Sequence, residues 1–173
     1  MPNPVLHAIS QRRSIRKYEK TPLTKEQIDT LLQAALEAPS ARNFQPWHFS
    51  VVQNPEILRE LNAESAKNMG VEKIDIYFDA PCVIFISCVK SGRYAVLDCG
   101  IAVENIALAA HSMGLGSVIL GMPDSAFAGD KKEYFEELLK FPEGYEFTIA
   151  IALGVPATTK DAHPIGENKI DFI

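Results

Sequence analysis

The chain has 173 residues and a formal net charge of −5 at pH 7, with 47% hydrophobic and 23% charged residues. This length and composition predict one globular domain over residues 1–173, long enough to bury a hydrophobic core. The acidic balance argues against general nucleic-acid binding, which needs a broadly basic face, but it allows a small anionic ligand in a local positive pocket.

The first half of the chain is predicted to alternate helices and strands. Thr24 and Gln27 fit a capping box, Asn54-Pro55 is a second helix start, and residues 67–77 form a weakly patterned connection. The apolar run at 80–89 is typical of a strand buried on both faces. The predicted elements are a helix over about 5–12, a helix from 25 to about 37, a strand over 47–53, a helix from 55 to about 66, and a strand over 80–89.

A helix over about 96–113 is the most apolar of the chain. Its few polar residues are Asp98, Glu104, Asn105, His111 and Ser112. A helix that is hydrophobic all round is buried in a large core or between subunits. Because 173 residues leave little room to bury it, this helix predicts an obligate dimer.

The second half continues with a strand between glycines at 115–123, where a backbone could approach a flat ligand closely. A helix over 131–140 and a strand over 145–153 follow. The alternation of polar and apolar residues at 169–173 predicts a short terminal strand, which is well placed to add to the sheet edge of a partner.

The cysteines, the histidines and the N-terminus bear on metal binding and location. Cys82, Cys88 and Cys99 make no CxxC pair and no even-numbered disulfide framework, so we expect buried thiols in a reducing compartment. The four histidines lack zinc-ligand spacing, and no metal site is expected. The start lacks an apolar signal segment and the run at 82–89 is too short to cross a bilayer, which predicts a cytoplasmic protein.

Two stretches carry candidate binding residues. Arg12, Arg13, Ser14 and Arg16 place three guanidiniums and a hydroxyl within five residues, a donor set that fits phosphate, although a basic helix end is the alternative. The second stretch has Ser40, Asn43 and Gln45 between two prolines and before Trp47. These side chains can offer hydrogen bonds to a ligand, or they can serve the backbone of an ordinary loop.

The chain resembles the nitroreductase family of flavin-dependent oxidoreductases in four motifs that stand in the family's order and cover nearly its whole length. They are Arg12–Arg16, Ala38–Phe49, the apolar helix leading into Gly114–Ser117, and Ala152–Pro156. The resemblance implies an α+β fold with a central, mostly antiparallel sheet flanked by helices. It also implies an intertwined homodimer whose C-terminal segment reaches the partner, with two FMN molecules at the interface, each contacted by both chains.

The same resemblance implies which residues bind the flavin. One subunit would contribute Arg12, Arg13, Ser14 and Arg16, with Arg16 near the pyrimidine edge of the ring. The other would contribute Pro39, Ser40, Asn43 and Gln45. Leu120 and Gly121 would lie beside the ring, and Lys160 would join the phosphate site. No catalytic acid or base is assigned, because the isoalloxazine performs the hydride chemistry.

Three departures from the family pattern qualify these expectations. His163 stands where members often carry a second basic residue, usually Arg, so we expect weaker or more pH-dependent phosphate binding. The connection at 67–77 lacks a match to the polar residues that longer members place over the ring. The short chain also leaves little room for a lid, which favours an open pocket.

The leading hypothesis is an FMN-dependent oxidoreductase that transfers hydride from NAD(P)H to a nitro compound, a quinone or a similar small acceptor by a ping-pong reaction. One alternative is a specialised flavin enzyme for flavin destruction or reductive dehalogenation, which should require extra residues over the ring. The other is a non-catalytic flavin- or anion-binding module. The sequence does not decide between NADH and NADPH, nor does it identify the acceptor.

Overall fold

The computed structural model describes residues 3–173 and shows a four-stranded sheet with helices on both faces. The helices are α1 (Pro4–Gln11), α2 (Lys25–Leu36), α3 (Pro55–Met69), α4 (Ala95–Ser112) and α5 (Lys132–Leu138), and the strands are β1 (Trp47–Val52), β2 (Cys82–Val89), β3 (Gly116–Leu120) and β4 (Tyr145–Gly154). The strand order is β1-β2-β4-β3, and all neighbouring strands are antiparallel. The α+β class with an antiparallel central sheet is therefore confirmed. Two short 3₁₀ helices, Ala41–Asn43 and Met122–Phe127, were not predicted.

The predicted capping of α2 and α3 is present. The Thr24 hydroxyl accepts from the Gln27 backbone N–H, and the Gln27 side chain accepts from the Thr24 N–H. The Asn54 side chain accepts from the Glu56 N–H at the start of α3. These contacts satisfy backbone donors that a helix start leaves without partners.

The connection predicted over 67–77 is shorter than expected. The helix α3 continues to Met69 and ends where Gly70 adopts φ 68°. Beyond it, the Asn62 side chain donates to the Ile74 carbonyl (2.6 Å) and accepts from the Ile76 N–H (3.0 Å). The sequence pattern did not indicate that residues 74–76 are held in place, because the contacts come from Asn62, a side chain on the preceding helix.

Strand β2 lies at the centre of the core, and both of its faces are buried, as predicted. Helices α2 and α4 cover one face, where the packed side chains include Leu31, Ile84, Ile86, Ile106 and Ile151. The other face packs against α3, α5 and the second 3₁₀ helix, through Leu61, Phe85, Phe127, Phe135 and Phe147 among others. Cys82, Cys88 and Cys99 are buried free thiols, as predicted.

Helix α4 is buried on one side only, and its outer side is left exposed by the single chain, as expected of a chain too short to bury this helix alone. Ala102, Ile106 and Ala110 are fully buried against the sheet, whereas Val96 and Leu97 on the outer side are 64% and 65% exposed. Among the described residues, α4 is also the one helix long and apolar enough to cross a bilayer. Its packing against the sheet is that of a core helix, so it does not indicate a membrane protein.

The segment that follows α1 runs beside β3, where no strand was predicted. Ser14 bridges Ser117, and the Ile15 N–H donates to the Ser117 carbonyl (2.8 Å). The buried Tyr18 hydroxyl donates to the Ile15 carbonyl (2.6 Å) and holds the segment in place. This segment covers the outer edge of β3 and leaves β1 as the uncovered edge of the described sheet.

The terminal strand predicted over 169–173 is absent from the single chain. These residues are exposed and have no regular secondary structure. A strand needs an edge to pair with, and the tail pairs with no strand of its own sheet.

Candidate functional site

The arginine cluster lies where α1 ends. The Arg13 guanidinium donates to the Ser10 carbonyl (2.7 Å) and the Arg12 carbonyl (2.9 Å), so it partly serves the helix end, as the alternative interpretation expects. The Nε atom of Arg12 lies 3.2 Å from the Glu104 carboxylate without forming a hydrogen bond with it. This Nε atom is buried and has no hydrogen-bond partner among the described residues.

A cavity of about 300 Å³ brings the N-terminal cluster and the tail together. It is lined by Gln11, Arg12, Arg13, Ile15, His111, Gly114, Leu115, Gly116, Ser117, Pro156, Thr158, Thr159 and Lys160. Burial, followed by the charges of His7, Arg12 and Arg13, lowers the pKa of His111 below its usual value. The cavity thus joins Arg12, Arg13 and Lys160, three of the predicted ligands, with hydroxyl groups that were not predicted.

These lining residues fit a phosphate group. Three cationic side chains and the Thr159 hydroxyl supply donors, and the Nε of Arg12 is a buried donor that an anionic oxygen would satisfy. Glu104 is the opposing charge next to Arg12. Within residues 3–173, no group of three or more His, Cys, Asp or Glu side chains could hold a metal ion.

Two other residues of the N-terminal motif lie outside the cavity lining. Ser14 is half-buried beside Ser117, and Arg16 is exposed with its guanidinium carbon 5.7 Å from the centre of the Phe78 ring. His163 is exposed in the tail and does not line the cavity either. The structure therefore places Arg12, Arg13 and Lys160 together, and Arg16 and His163 apart from them.

The loop from Pro39 to Gln45 is tightly folded. Arg42, Asn43 and Gln45 have positive φ angles of 55°, 56° and 48°, a region that L-residues rarely occupy. The Ser40 hydroxyl accepts from the Gln45 N–H (2.9 Å), and the Gln45 side chain donates to the Asn43 side chain (2.9 Å). None of the predicted ligands in this loop lines the cavity of its own chain.

Leu120 and Gly121 lie at the far end of β3 from the cavity. Leu120 is 2% exposed, so it can offer a ligand little beyond its backbone. Gly121 is exposed, and a Cβ atom built on it would meet no heavy atom within 4 Å. There is open space beside this glycine, as contact with a flat ring requires.

Sequence reasoning missed the contacts that α4 makes to the candidate site. Asp98 accepts from the Ala41 N–H, Glu104 lies next to Arg12, and His111 lines the cavity. All three had been noted only as polar interruptions of an apolar helix. A polar residue in an apolar helix needs a hydrogen-bond partner when it is buried, so these positions could have indicated contacts to other parts of the chain.

A larger groove of about 650 Å³ lies elsewhere, between α3 and residues 73–81. It contains none of the predicted ligands. Two of its cations are already paired, Lys20 with Asp79 and Arg59 with Glu56. The smaller cavity is the better candidate site because three predicted ligands line it and one of them, Arg12, has a buried donor without a partner among the described residues.

Comparisons with known proteins identify the family and the fold of the chain. A model of the nitroreductase family matches residues 9–155. A Methanothermobacter thermautotrophicus protein named for NADH dehydrogenase/NAD(P)H nitroreductase activity is 40% identical over 157 residues, covering 88% of this chain and 78% of that protein. An NADPH-flavin oxidoreductase of Vibrio harveyi is 31% identical over 94% of this chain and 70% of its own length. The crystal structure of a nitroreductase with bound FMN from Desulfitobacterium hafniense DCB-2 has a TM-score of 0.93 at 33% identity and covers 100% of both chains.

Proposed function

The chain belongs to the nitroreductase family of FMN-dependent NAD(P)H oxidoreductases, and we propose that it reduces a nitroaromatic, a quinone or a similar small acceptor as a cytoplasmic homodimer. The observation that carries the site assignment is the cavity where Arg12, Arg13 and Lys160 meet beside β3. The three buried free thiols are in keeping with a reducing compartment.

Residues of this chain would bind the FMN phosphate in that cavity. Arg12 and Arg13 would pair with the phosphate oxygens and Lys160 would add a third charge, whereas Ser14, which lies outside the cavity lining, would contact the cofactor beyond the phosphate. Bound FMN supplies the hydride chemistry of the reaction. Arg16 would lie near the pyrimidine edge, where its charge raises the reduction potential of the cofactor.

The two substrates would share one pocket in turn, which gives ping-pong kinetics. NAD(P)H would bind first and leave, and the acceptor would then take its place beside Gly121. A Cβ atom built on Gly121 would meet no heavy atom within 4 Å, so the space directly beside this residue is open in the single chain. An uncovered pocket suits acceptors of several shapes, which is the reason to propose a small-molecule class and no single compound.

The second half of the flavin site would come from the partner subunit. Pro39, Ser40, Asn43 and Gln45 lie outside the cavity of their own chain, so they are free to serve the site of the other. Exposed apolar side chains on α1 and α4, two helices that contact each other, support an interface there. They are Val5, Leu6, Ile9, Val96, Leu97 and Ile101.

The uncovered edge of β1 supports the exchange of C-terminal segments between subunits. Strand β1 pairs only with β2 among the described strands, and residues 169–173 of the tail are exposed with no strand partner of their own. Pairing of residues 169–173 with the partner subunit would satisfy the backbone groups of both segments.

The test is a visible absorption spectrum of the purified protein, followed by anaerobic addition of NADH and NADPH in separate samples. We expect flavin bands that bleach, and the nucleotide that bleaches them faster is the preferred donor. Flavin that stays oxidised with both nucleotides would contradict the proposed activity and favour the specialised flavin enzyme. A colourless protein that fails to take up added FMN would contradict the cofactor assignment and favour the anion-binding module.

A further inference from the structure

The loop that carries half of the proposed flavin ligands is attached to α4 by one buried carboxylate. Asp98 is 5% exposed, and its two oxygens lie 3.2 and 3.3 Å from the backbone nitrogen of Ala41. Ala41 follows Ser40 directly and opens the 3₁₀ helix of the loop. No cation pairs with Asp98 in the part of the chain that the structure describes.

The conformation that Asp98 holds is a costly one. Arg42, Asn43 and Gln45 all have left-handed backbone angles, which bring Cβ close to a neighbouring carbonyl oxygen and are unfavourable for a residue with a side chain. Such a conformation persists only when surrounding contacts specify it. Within the loop, the Ser40 hydroxyl accepts from the Gln45 N–H and the Gln45 side chain donates to Asn43, and the Asp98 bond to Ala41 attaches the loop to α4.

A second polar contact of α4 fixes the helix that precedes the loop. The Asn105 side chain donates to the Ala34 carbonyl of α2 (3.0 Å). Asp98 and Asn105 are seven residues apart, so they lie on the same face of α4. One helix face therefore holds α2 by an amide and the loop by a carboxylate.

We propose that Asp98 is a positioning residue for the flavin: its carboxylate fixes the Ala41 N–H and so gives Ser40, Asn43 and Gln45 the geometry that binds the cofactor. This inference rests on the proposed function, since it assumes that the loop binds FMN. In this proposal, Asp98 positions the loop through the hydrogen bond that it accepts from Ala41. The alternative is that the negative charge of Asp98 merely stabilises the first turn of α4, as any carboxylate would there.

Four substitutions separate these roles. Asp98→Ala removes the acceptor, Asp98→Asn keeps an oxygen at the same distance without the charge, and Asp98→Glu keeps the charge but moves the oxygens outward by one methylene. Asn105→Ala is the matched control, because it removes the neighbouring contact to α2 and leaves the loop contact in place. Thermal unfolding of each variant reports whether it folds.

The measurements are the FMN dissociation constant by fluorescence titration and the hydrogen-exchange rate of the Ala41 amide. We expect Asp98→Ala and Asp98→Glu to weaken FMN binding by about tenfold or more and to accelerate Ala41 exchange. Asp98→Asn should stay within about threefold of the parent, and Asn105→Ala should lower the unfolding temperature with FMN affinity retained. If Asp98→Ala does not fold, the Asn and Glu variants still decide between the hydrogen bond and the charge.

The outcomes also separate this inference from the proposed function. A parent protein that binds no FMN overturns the proposed function itself. A parent that binds FMN, with Asp98→Ala and Asp98→Glu binding it equally well, overturns the positioning role alone. Retained binding in Asp98→Glu with lost binding in Asp98→Asn would assign the effect to charge and would also overturn it.

Discussion

The Arg12 Nε atom lies 3.2 Å from the Glu104 carboxylate, so helix α4 places a negative charge beside one of the arginines of the candidate cavity. The two groups attract each other without a hydrogen bond, so the N–H groups of the guanidinium, Nε included, still lack a hydrogen-bond partner among the described residues, and an anionic ligand is suited to them.

Arg12→Ala should weaken FMN retention. It removes a charge-assisted phosphate contact worth about 1.5–3 kcal/mol, which corresponds to a loss of affinity of roughly tenfold to a hundredfold. Fluorescence titration with FMN measures it. Arg59→Ala is the control, because Arg59 is an exposed arginine of α3 paired with Glu56. Equal affinities for the parent and the Arg12 variant would remove Arg12 from the site.

Arg16→Ala should lower the reduction potential of the bound flavin with less effect on its retention. Loss of a positive charge near the ring disfavours the reduced cofactor, by on the order of 30 mV for about 1.4 kcal/mol in a two-electron couple. Equilibration with a reference dye measures the potential. Lys17→Ala removes an adjacent exposed charge, and it should leave the potential closer to that of the parent.

Leu97→Glu should convert the protein to a monomer. Leu97 is 65% exposed on the outer side of α4, and burying a leucine in an interface contributes about 1.5–3 kcal/mol that a carboxylate would reverse. Light scattering after size-exclusion chromatography gives the mass, and absorbance gives the bound FMN. Ala63→Glu, at an exposed position of α3 on the other face of the sheet, should remain dimeric. A dimeric Leu97 variant with full FMN would exclude this face as the interface.

Gly154→Ala should destabilise the fold. A Cβ atom there would lie 2.8 Å from Cδ of Pro81 and 2.9 Å from a ring carbon of Tyr18, two groups that are held rigidly. Overpacking of this kind costs about 1–3 kcal/mol of unfolding free energy. Urea denaturation compares it with Gly166→Ala, where the nearest atom belongs to the flexible Lys169 side chain. Equal stability of the two variants would show that the close approach at Gly154 relaxes freely.

Stability should fall as the pH drops below the ordinary histidine pKa of about 6.5. Burial lowers the pKa of both His48 and His111, so the unfolded chain binds protons at a higher pH than the folded protein does. This contribution is complete above that pKa and is lost as the pH falls. Urea denaturation between about pH 8 and pH 5.5 measures it. His48→Gln and His111→Gln should each flatten the profile, and an unchanged profile in both would contradict the assignment.

The parts of the fold that follow from local patterns were predictable. The capping box at Thr24, the proline start of α3 and the apolar run of β2 each specify an element through a few neighbouring residues. The bridge from Ser14 to Ser117 and the contacts of Asn62 join distant parts of the chain, so no local period indicates them. The tail shows the converse, since its alternation predicts a strand, but these residues pair with no edge of their own sheet.

The candidate site was predictable in its chemistry and not in its geometry. Motif resemblance identified Arg12, Arg13 and Lys160, and the structure joins them in one cavity. The supporting residues Asp98 and Glu104 were visible as polar positions in an apolar helix, but their partners depend on how α4 crosses the sheet. The distance of Arg16 and His163 from that cavity likewise depends on the path of the chain.

The position of β2 between β1 and β4 sets the order in which the protein can fold. The pairing of β2 with β1 joins segments that are close in the chain. The other edge of β2 pairs with β4, which begins only at Tyr145. Until those residues leave the ribosome, the most apolar strand of the protein has an open edge that another chain can pair with. Contacts of such long sequence separation make folding slow, so overproduction at low temperature or with a chaperone that holds nascent chains should raise the yield of native protein.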